Sequence, residues 1–495
     1  MATLPVFQLP GGQTHSLVLA ALGIAVIGFV FHALRNPLAK VPGPWYTKFT
    51  GAILTIQTAK GNGAIYVHNL HEKYGPIVRI GPNEVDVMDL RGIKEIHSVK
   101  ATYVKTPYYE TFGPPGMLNL FNTQDVNFHR RHRRLLQGPF SEAQLKAFHP
   151  TVEHRVRLAV QRMGEEVETR RVADVFKWWM FMATDVIGEL TFGESFRMLE
   201  LGQKNEYIQA LERVAATLGR NNAFPLAGKL AYYGVPIPGF GDDAKHTKNI
   251  LRYSEESLAR YRGLVQQNPD KPIPTLFTRL FKGEEEENLS FKELVDAAQG
   301  YIVAGSDTTA VGLTYLVWNV CRNPEIQKRL VEEVQQLPAD YHDQDLVKLP
   351  YLSQVIKETL RRHAPAPASL PRLVPPGGAT FAGNYLPGGA VVSTQAWSLH
   401  RNSEVFPDPE KFDPDRWAAP TKEMKDWFMP FGGGSRVCIG AHLAELEMRL
   451  ATVLFFRTFP NAQVSTREGM SDDDMVQVPF FLAPPRGKRC LIELS

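Results

Sequence analysis

The stretch Phe431-Gly-Gly-Gly-Ser-Arg-Val-Cys-Ile-Gly440 holds a single cysteine, Cys438, in a glycine-rich loop. The loop leads straight into a helical pattern with Leu443, Leu446 and Leu450 on one face. A thiolate at a helix N-terminus is stabilised by the free N–H groups and the dipole there. Glycines let backbone approach a flat ligand where side chains would clash. Arg436, two residues before the cysteine, is suited to an anionic group on such a ligand. Three other readings compete. A phosphate loop wants Lys and then Ser or Thr after its last glycine, whereas Ile439 and Ala441 flank Gly440. A zinc site built on Cys438 and His442 lacks its third and fourth ligands. A buried structural cysteine leaves the spacing of Phe431, Gly434, Arg436, Cys438 and Gly440 unexplained.

The chain has 495 residues, 44% of them hydrophobic, enough for a large core. Length alone allows about three domains. Lys plus Arg number 55 against 52 Asp plus Glu, a formal +3. So even a balance argues against nucleic acid as a partner. The three cysteines, Cys321, Cys438 and Cys490, make no disulfide framework and suit a reducing compartment.

Ser16 to Leu34 contains no Lys, Arg, Asp or Glu and approaches the ~20 residues a bilayer-spanning helix needs. Arg35 and Lys40 follow it, and residues 1–15 carry no charged side chain, which places the C-terminal bulk in the cytosol. A cleaved signal peptide is the rival, but it would carry basic charge before the apolar run. Next, Pro37, Pro42 and Pro44 forbid a continuing helix and make a stiff link. Residues 74–98 alternate short β-type runs with Gly-Pro turns and predict a small antiparallel sheet. Residues 150–280 read as mostly helical, and Glu284 to Glu287 as a solvated acidic loop. Ser290-Phe-Lys-Glu293 is a capping box opening a helix that runs to about Cys321. In its apolar middle sits Ala304-Gly-Ser-Asp-Thr-Thr309, with Gly305 permitting a kink. Gln477 to Leu482 reads as a short β run ending in a turn.

The spacing Phe-x-x-Gly-x-Arg-x-Cys-x-Gly resembles the haem-binding loop of the cytochrome P450 family, with all five defined positions matching. That resemblance implies a mostly α fold with a minor β lobe, preceded by one N-terminal transmembrane helix. It divides the chain into an anchor segment (1–35), a Pro-rich hinge (36–46) and a haem-thiolate catalytic domain (47–495). It makes Cys438 the axial ligand of haem iron, with Phe431, Gly434 and Gly440 shaping the loop and Arg436 meeting a propionate. His129 and Arg133, one helical turn apart, stand where the family carries Trp-x-x-x-Arg, and Arg372 resembles a further propionate contact. Ala304 to Thr309 resembles the oxygen-activation motif, giving Asp307 and Thr308 proton-delivery roles. Glu358, Arg361 and Arg416 resemble the family's buried structural triad. Tyr108, Phe112, Phe121, Ala304, Ala366, Leu370 and Phe481 are the expected substrate-pocket residues.

Activity follows by the same resemblance: a membrane-anchored monooxygenase of the endoplasmic reticulum, its catalytic domain in the cytosol. The chain has no flavin or nicotinamide fingerprint, so electrons come from a partner, an NADPH–cytochrome reductase, with cytochrome b5 as a second donor. The substrate is a hydrophobic small molecule, and the motif sequences look most like those of fungal members that tailor secondary metabolites. Two alternatives remain: a member catalysing coupling, desaturation or rearrangement without net oxygen insertion, and an inactive membrane haem-binding protein.

Overall fold

The computed structural model describes residues 11–100, 102–204, 206–267, 275–286 and 289–494. Its axis is the helix Phe291–Cys321, 31 residues long, about 45 Å at 1.5 Å per residue. The capping box forms at its start. Ser290 N–H donates to the Glu293 carboxylate at 2.8 Å, and Glu293 N–H donates to Ser290 Oγ at 3.2 Å. The helix is continuous through Gly305, because that glycine serves a close crossing and not a kink. A Cβ at 305 would lie 2.8 Å from Ile187 Cγ1, on the helix Val175–Phe192, which is itself buried on nearly every residue. His149–Arg170 and Ala441–Thr458 pack alongside in the same helical layer. Trp179, Phe181, Tyr315 and Phe455 belong to its single large apolar core.

The minor lobe is a four-stranded sheet. Ile77–Gly81 pairs antiparallel with Glu84–Val87, as expected from residues 74–98. Glu84–Val87 then pairs in parallel with Val391–Ser393, which pairs antiparallel with Arg372–Leu373. This last strand carries Arg372 to the edge of the helical layer. The expected sheet region ends in a helix, Leu90–Ile96, capped by Asp89 accepting from Arg91 N–H.

Two local expectations change. Gln477 to Leu482 forms no strand; one isolated bridge joins Gln477 to Pro485. Pro479, Pro484 and Pro485 have no N–H to give a ladder. The acidic run expected as a loop at Glu284 lies within the helix Thr278–Glu286, in keeping with the good helix propensity of Glu; Glu287 falls outside the described residues.

The helix Gly11–Arg35 precedes the domain, and its stretch His15–Arg35 is long and apolar enough to cross a membrane. The first ten residues of the expected anchor segment fall outside the described ones. The Pro-rich segment after it is seated on the sheet. Arg79, buried in the first strand, donates to the carbonyls of Leu38 at 2.8 Å and Val41 at 3.0 Å, and to Thr47 Oγ1 at 3.0 Å.

Candidate functional site

A cavity of about 390 Å3 opens between the cysteine loop and the central helix. Phe431, Arg436, Cys438 and Gly440 line one wall, and Ala304, Gly305, Thr308 and Thr309 the other. Cys438 N–H donates to Phe431 O at 2.9 Å, and the helix Ala441–Thr458 starts directly after Gly440, so the thiol sits at a helix N-terminus. The Cys438 side chain is exposed to the cavity. The protein packed round it raises its thiol pKa, against which the Gly440 N–H and Arg133 pull down. Cys321 and Cys490 are buried away from this lining, their thiol pKa values raised by burial.

Gly434 does not line the cavity. Its φ is +61°, and a Cβ there would lie 1.8 Å from the His97 carbonyl oxygen. This glycine therefore serves the approach of chain to chain, not the approach of chain to ligand.

One edge of the cavity collects positive charge. Arg133, Arg372 and Arg436 all line it. Arg133 donates to Val437 O at 2.7 Å, Arg436 to Thr123 O at 3.3 Å, and Arg372 to Tyr109 Oη at 2.5 Å. Sequence reasoning missed a fourth basic side chain, Lys105, which hydrogen-bonds to Phe121 O and sits 4.2 Å from the ring centres of Tyr109 and Phe121. Burial, then the nearby Arg372 and Arg436, pushes its pKa well down. Among the described residues none of the four has a carboxylate ion-pair partner. His129 lines the same edge, and burial, followed by Arg436, Lys105 and Arg133, lowers its pKa to about 3. His97, also unforeseen, bonds Thr394 Oγ1 at 2.6 Å and is lowered to about 3 by burial and Arg372. No motif could have flagged Lys105 or His97, since each is one residue in an undistinguished loop.

On the central helix, Thr308 donates to Ala304 O at 2.8 Å and faces the cavity. Asp307, its neighbour, is buried and does not line it. Burial raises its pKa to about 7, with Lys488 and Glu212 as the charges it senses. The far end is aromatic. Phe112, Phe121 and Phe481 meet edge to face, with centroids 4.6 to 5.6 Å apart, and Ala366 and Leu370 join the lining. Tyr108 sits behind them, edge-on to Tyr109 and Phe112, and is not a lining residue.

The three charges at 358, 361 and 416 come together away from the cavity. Glu358 accepts from Arg361 at 2.8 and 2.9 Å, from Arg416 at 3.1 Å, and from Trp417 Nε1 at 2.9 Å. Arg361 in turn holds the carbonyl of His400 at 2.8 Å. His400 is lowered to about 3 by burial and by Arg361 and Arg401. Kept neutral, it donates from Nδ1 to Arg361 O at 3.1 Å and accepts Met429 N–H at Nε2, 3.0 Å away. The triad is thus tied, through one imidazole, to the residue that opens the cysteine loop.

Compared with known proteins, residues 41–491 match the family model described as Cytochrome P450. The chain belongs to the cytochrome P450 family. It is 47% identical to the cytochrome P450 monooxygenase tazI of Aspergillus terreus, over 97% of this chain and 99% of that protein. It is 35% identical to the cytochrome P450 monooxygenase stcB of Emericella nidulans, over 96% and 92%. It is 29% identical to the tryprostatin B 6-hydroxylase of Aspergillus fumigatus, over 90% and 79%. As a cytochrome P450 it is an oxidoreductase, a monooxygenase whose cofactor is haem with a cysteine thiolate ligand, and it requires a reductase partner and a hydrophobic substrate. The cavity fits that cofactor. A flat group with two carboxylates and an iron needs a sulfur on one wall and uncompensated cations at one edge, and this cavity offers both.

Proposed function

We propose that Cys438 is the haem ligand and that this cytochrome P450 inserts one oxygen atom of dioxygen into a hydrophobic small molecule, as a tailoring step in fungal secondary metabolism. One observation carries the reading. Of the three cysteines, only Cys438 faces the cavity, across from the turn that holds Thr308. Haem bound to a thiolate supplies the electron push that favours O–O cleavage. The chain's own residues do the rest. Arg133, Arg372, Arg436 and Lys105 bind the propionate edge. His129 and His97, held neutral, offer ring nitrogens there without adding to the charge. Phe112, Phe121 and Phe481 hold the apolar body of the substrate and keep water off it.

Thr308 controls a proton. Its hydroxyl donates to Ala304 O and keeps two lone pairs on the cavity side for a water or a reacting oxygen. Asp307, with a pKa near 7, loads and releases a proton close to neutral pH. In this reading residues 1–35 anchor the protein in the endoplasmic reticulum, residues 36–46 join the anchor to the domain, and 47–495 form the catalytic domain in the cytosol. NADPH–cytochrome reductase is then the electron donor, with cytochrome b5 as a second one. The relatives' names support the fungal tailoring role. The test is Cys438→Ala. It should abolish the thiolate-type band of the reduced carbon monoxide complex and all turnover with reductase. A normal thiolate band in that variant would overturn the assignment.

A further inference from the structure

The cavity holds one acid that the reading above does not use. Glu447 lies on the helix Ala441–Thr458, is 2% exposed, and lines the cavity. The Thr309 side chain is close enough to pull its pKa down. Thr309 lines the same wall and is itself buried, one residue along from Thr308. The second carboxyl oxygen of Glu447, Oε2, is buried with no partner. A buried carboxylate with an unmet oxygen is costly, so the group is held as the neutral acid. Burial raises its pKa to about 8, with the Thr309 side chain pulling the other way. Asp307 contrasts with it. That acid is also buried, but it senses the charges of Lys488 and Glu212 and does not line the cavity.

We propose that Glu447 supplies protons to the cavity through the Thr309 hydroxyl, as a route separate from Asp307 and resting on the monooxygenase reading given above. The transfer balances simply. The Glu447 O–H bond breaks as its proton passes to Thr309 Oγ1, and the proton that Thr309 carried passes to a water or reacting oxygen in the cavity. Glu447 is left as a carboxylate and is reprotonated by a proton delivered from bulk solvent along water that enters there, so no hydroxide is left behind. A hydroxyl can accept and donate at once, which is what the relay asks of Thr309.

The test uses the full-length haem-loaded protein and two independent readouts. The first is the infrared carbonyl stretch of a protonated carboxyl, assigned to glutamate by isotope-labelled glutamate and followed against pH. The component of this band that fades as pH rises past about 8 should be lost in Glu447→Gln, leaving at neutral pH what Glu84, raised to about 7 by burial, contributes. The second is hydrogen peroxide released per NADPH consumed with reductase. It should rise several-fold in Glu447→Gln and in Thr309→Val, with Thr309→Ser restoring the wild-type ratio. The Glu447→Gln, Thr309→Val double variant should be no worse than either single one, since both cut the same relay. Asp307→Asn should add to either. Persistence of that higher-pH component in Glu447→Gln would overturn the proposal, as would an unchanged peroxide ratio in Thr309→Val. If Glu447→Gln does not fold, the Thr309 pair decides alone. The infrared band is read without turnover, so failure of this inference is distinct from failure of the monooxygenase reading, which would show as wild-type protein lacking a thiolate-type carbon monoxide band.

Discussion

Glu358→Ala is expected to give no stable haem-loaded protein. The Glu358 and Arg361 side chains are both 0% exposed. The carboxylate accepts five hydrogen bonds: two from Arg361, and one each from Arg416, Trp417 and the Asp413 backbone. Removing it leaves the Arg361 guanidinium on carbonyl partners alone, those of His400, Pro409 and Lys411, with no opposite charge. Stranding a buried charge in this way costs ~3–5 kcal/mol. The indole N–H of Trp417 and the Asp413 N–H lose their acceptor as well, at about 1–3 kcal/mol for each buried group left unmet, less whatever water recovers. The total is comparable to the whole ~5–15 kcal/mol that keeps a typical domain folded. The damage should also reach the cysteine loop, because Arg361 holds His400 and His400 holds Met429 N–H. The assay is haem bound per protein after expression, together with the urea midpoint of any soluble material. Haem content and midpoint equal to wild type would show that the cluster contributes no more than a surface ion pair, and would refute the reasoning.

Gly434→Ala should cost haem occupancy as severely as a core defect, since its Cβ would overlap the His97 carbonyl at a positive φ; wild-type haem content in that variant would contradict this. Thr308→Val keeps the shape and deletes the hydroxyl, so haem and substrate binding should survive while product per NADPH falls and peroxide rises; an unchanged ratio would reduce Thr308 to a helix residue. Deleting residues 1–35 should release the protein from membranes, at least in part, with haem retained. A truncated protein still wholly in the membrane pellet after a salt wash would point to a second embedded surface.

Much of the central helix and the cysteine loop was legible because their signals are local. The Ser290–Glu293 box and the spacing from Phe431 to Gly440 each lie within ten or so residues. The sheet was legible only as far as its hairpin. The strand at Val391–Ser393 joins Glu84–Val87 across some three hundred residues, with three residues a side to mark it. Lys105, His97, His400 and Glu447 were not legible for a related reason. Each is a lone polar residue whose meaning comes from what distant chain brings against it. Gly305 and Gly434 were read as local devices, for a kink and for a ligand, and the structure assigns both to contacts with remote elements, Ile187 and His97. Tyr108 was grouped with its aromatic neighbours, yet a one-residue step along the short helical turn at Pro107–Thr111 turns it away from the lining.

Arg79 changes what the proline-rich segment is for. A string of prolines between a helix and a domain would ordinarily act as a spacer of fixed length and free direction. Here one guanidinium grips Leu38, Val41 and Thr47 together, and the ring of Phe29 in the preceding helix rests 6.2 Å from that of Phe49. The segment is therefore fastened to the domain along its length and is no free spacer. The first residues after the apolar helix thus keep a fixed attitude to the sheet, so the segment sets a direction as well as a length.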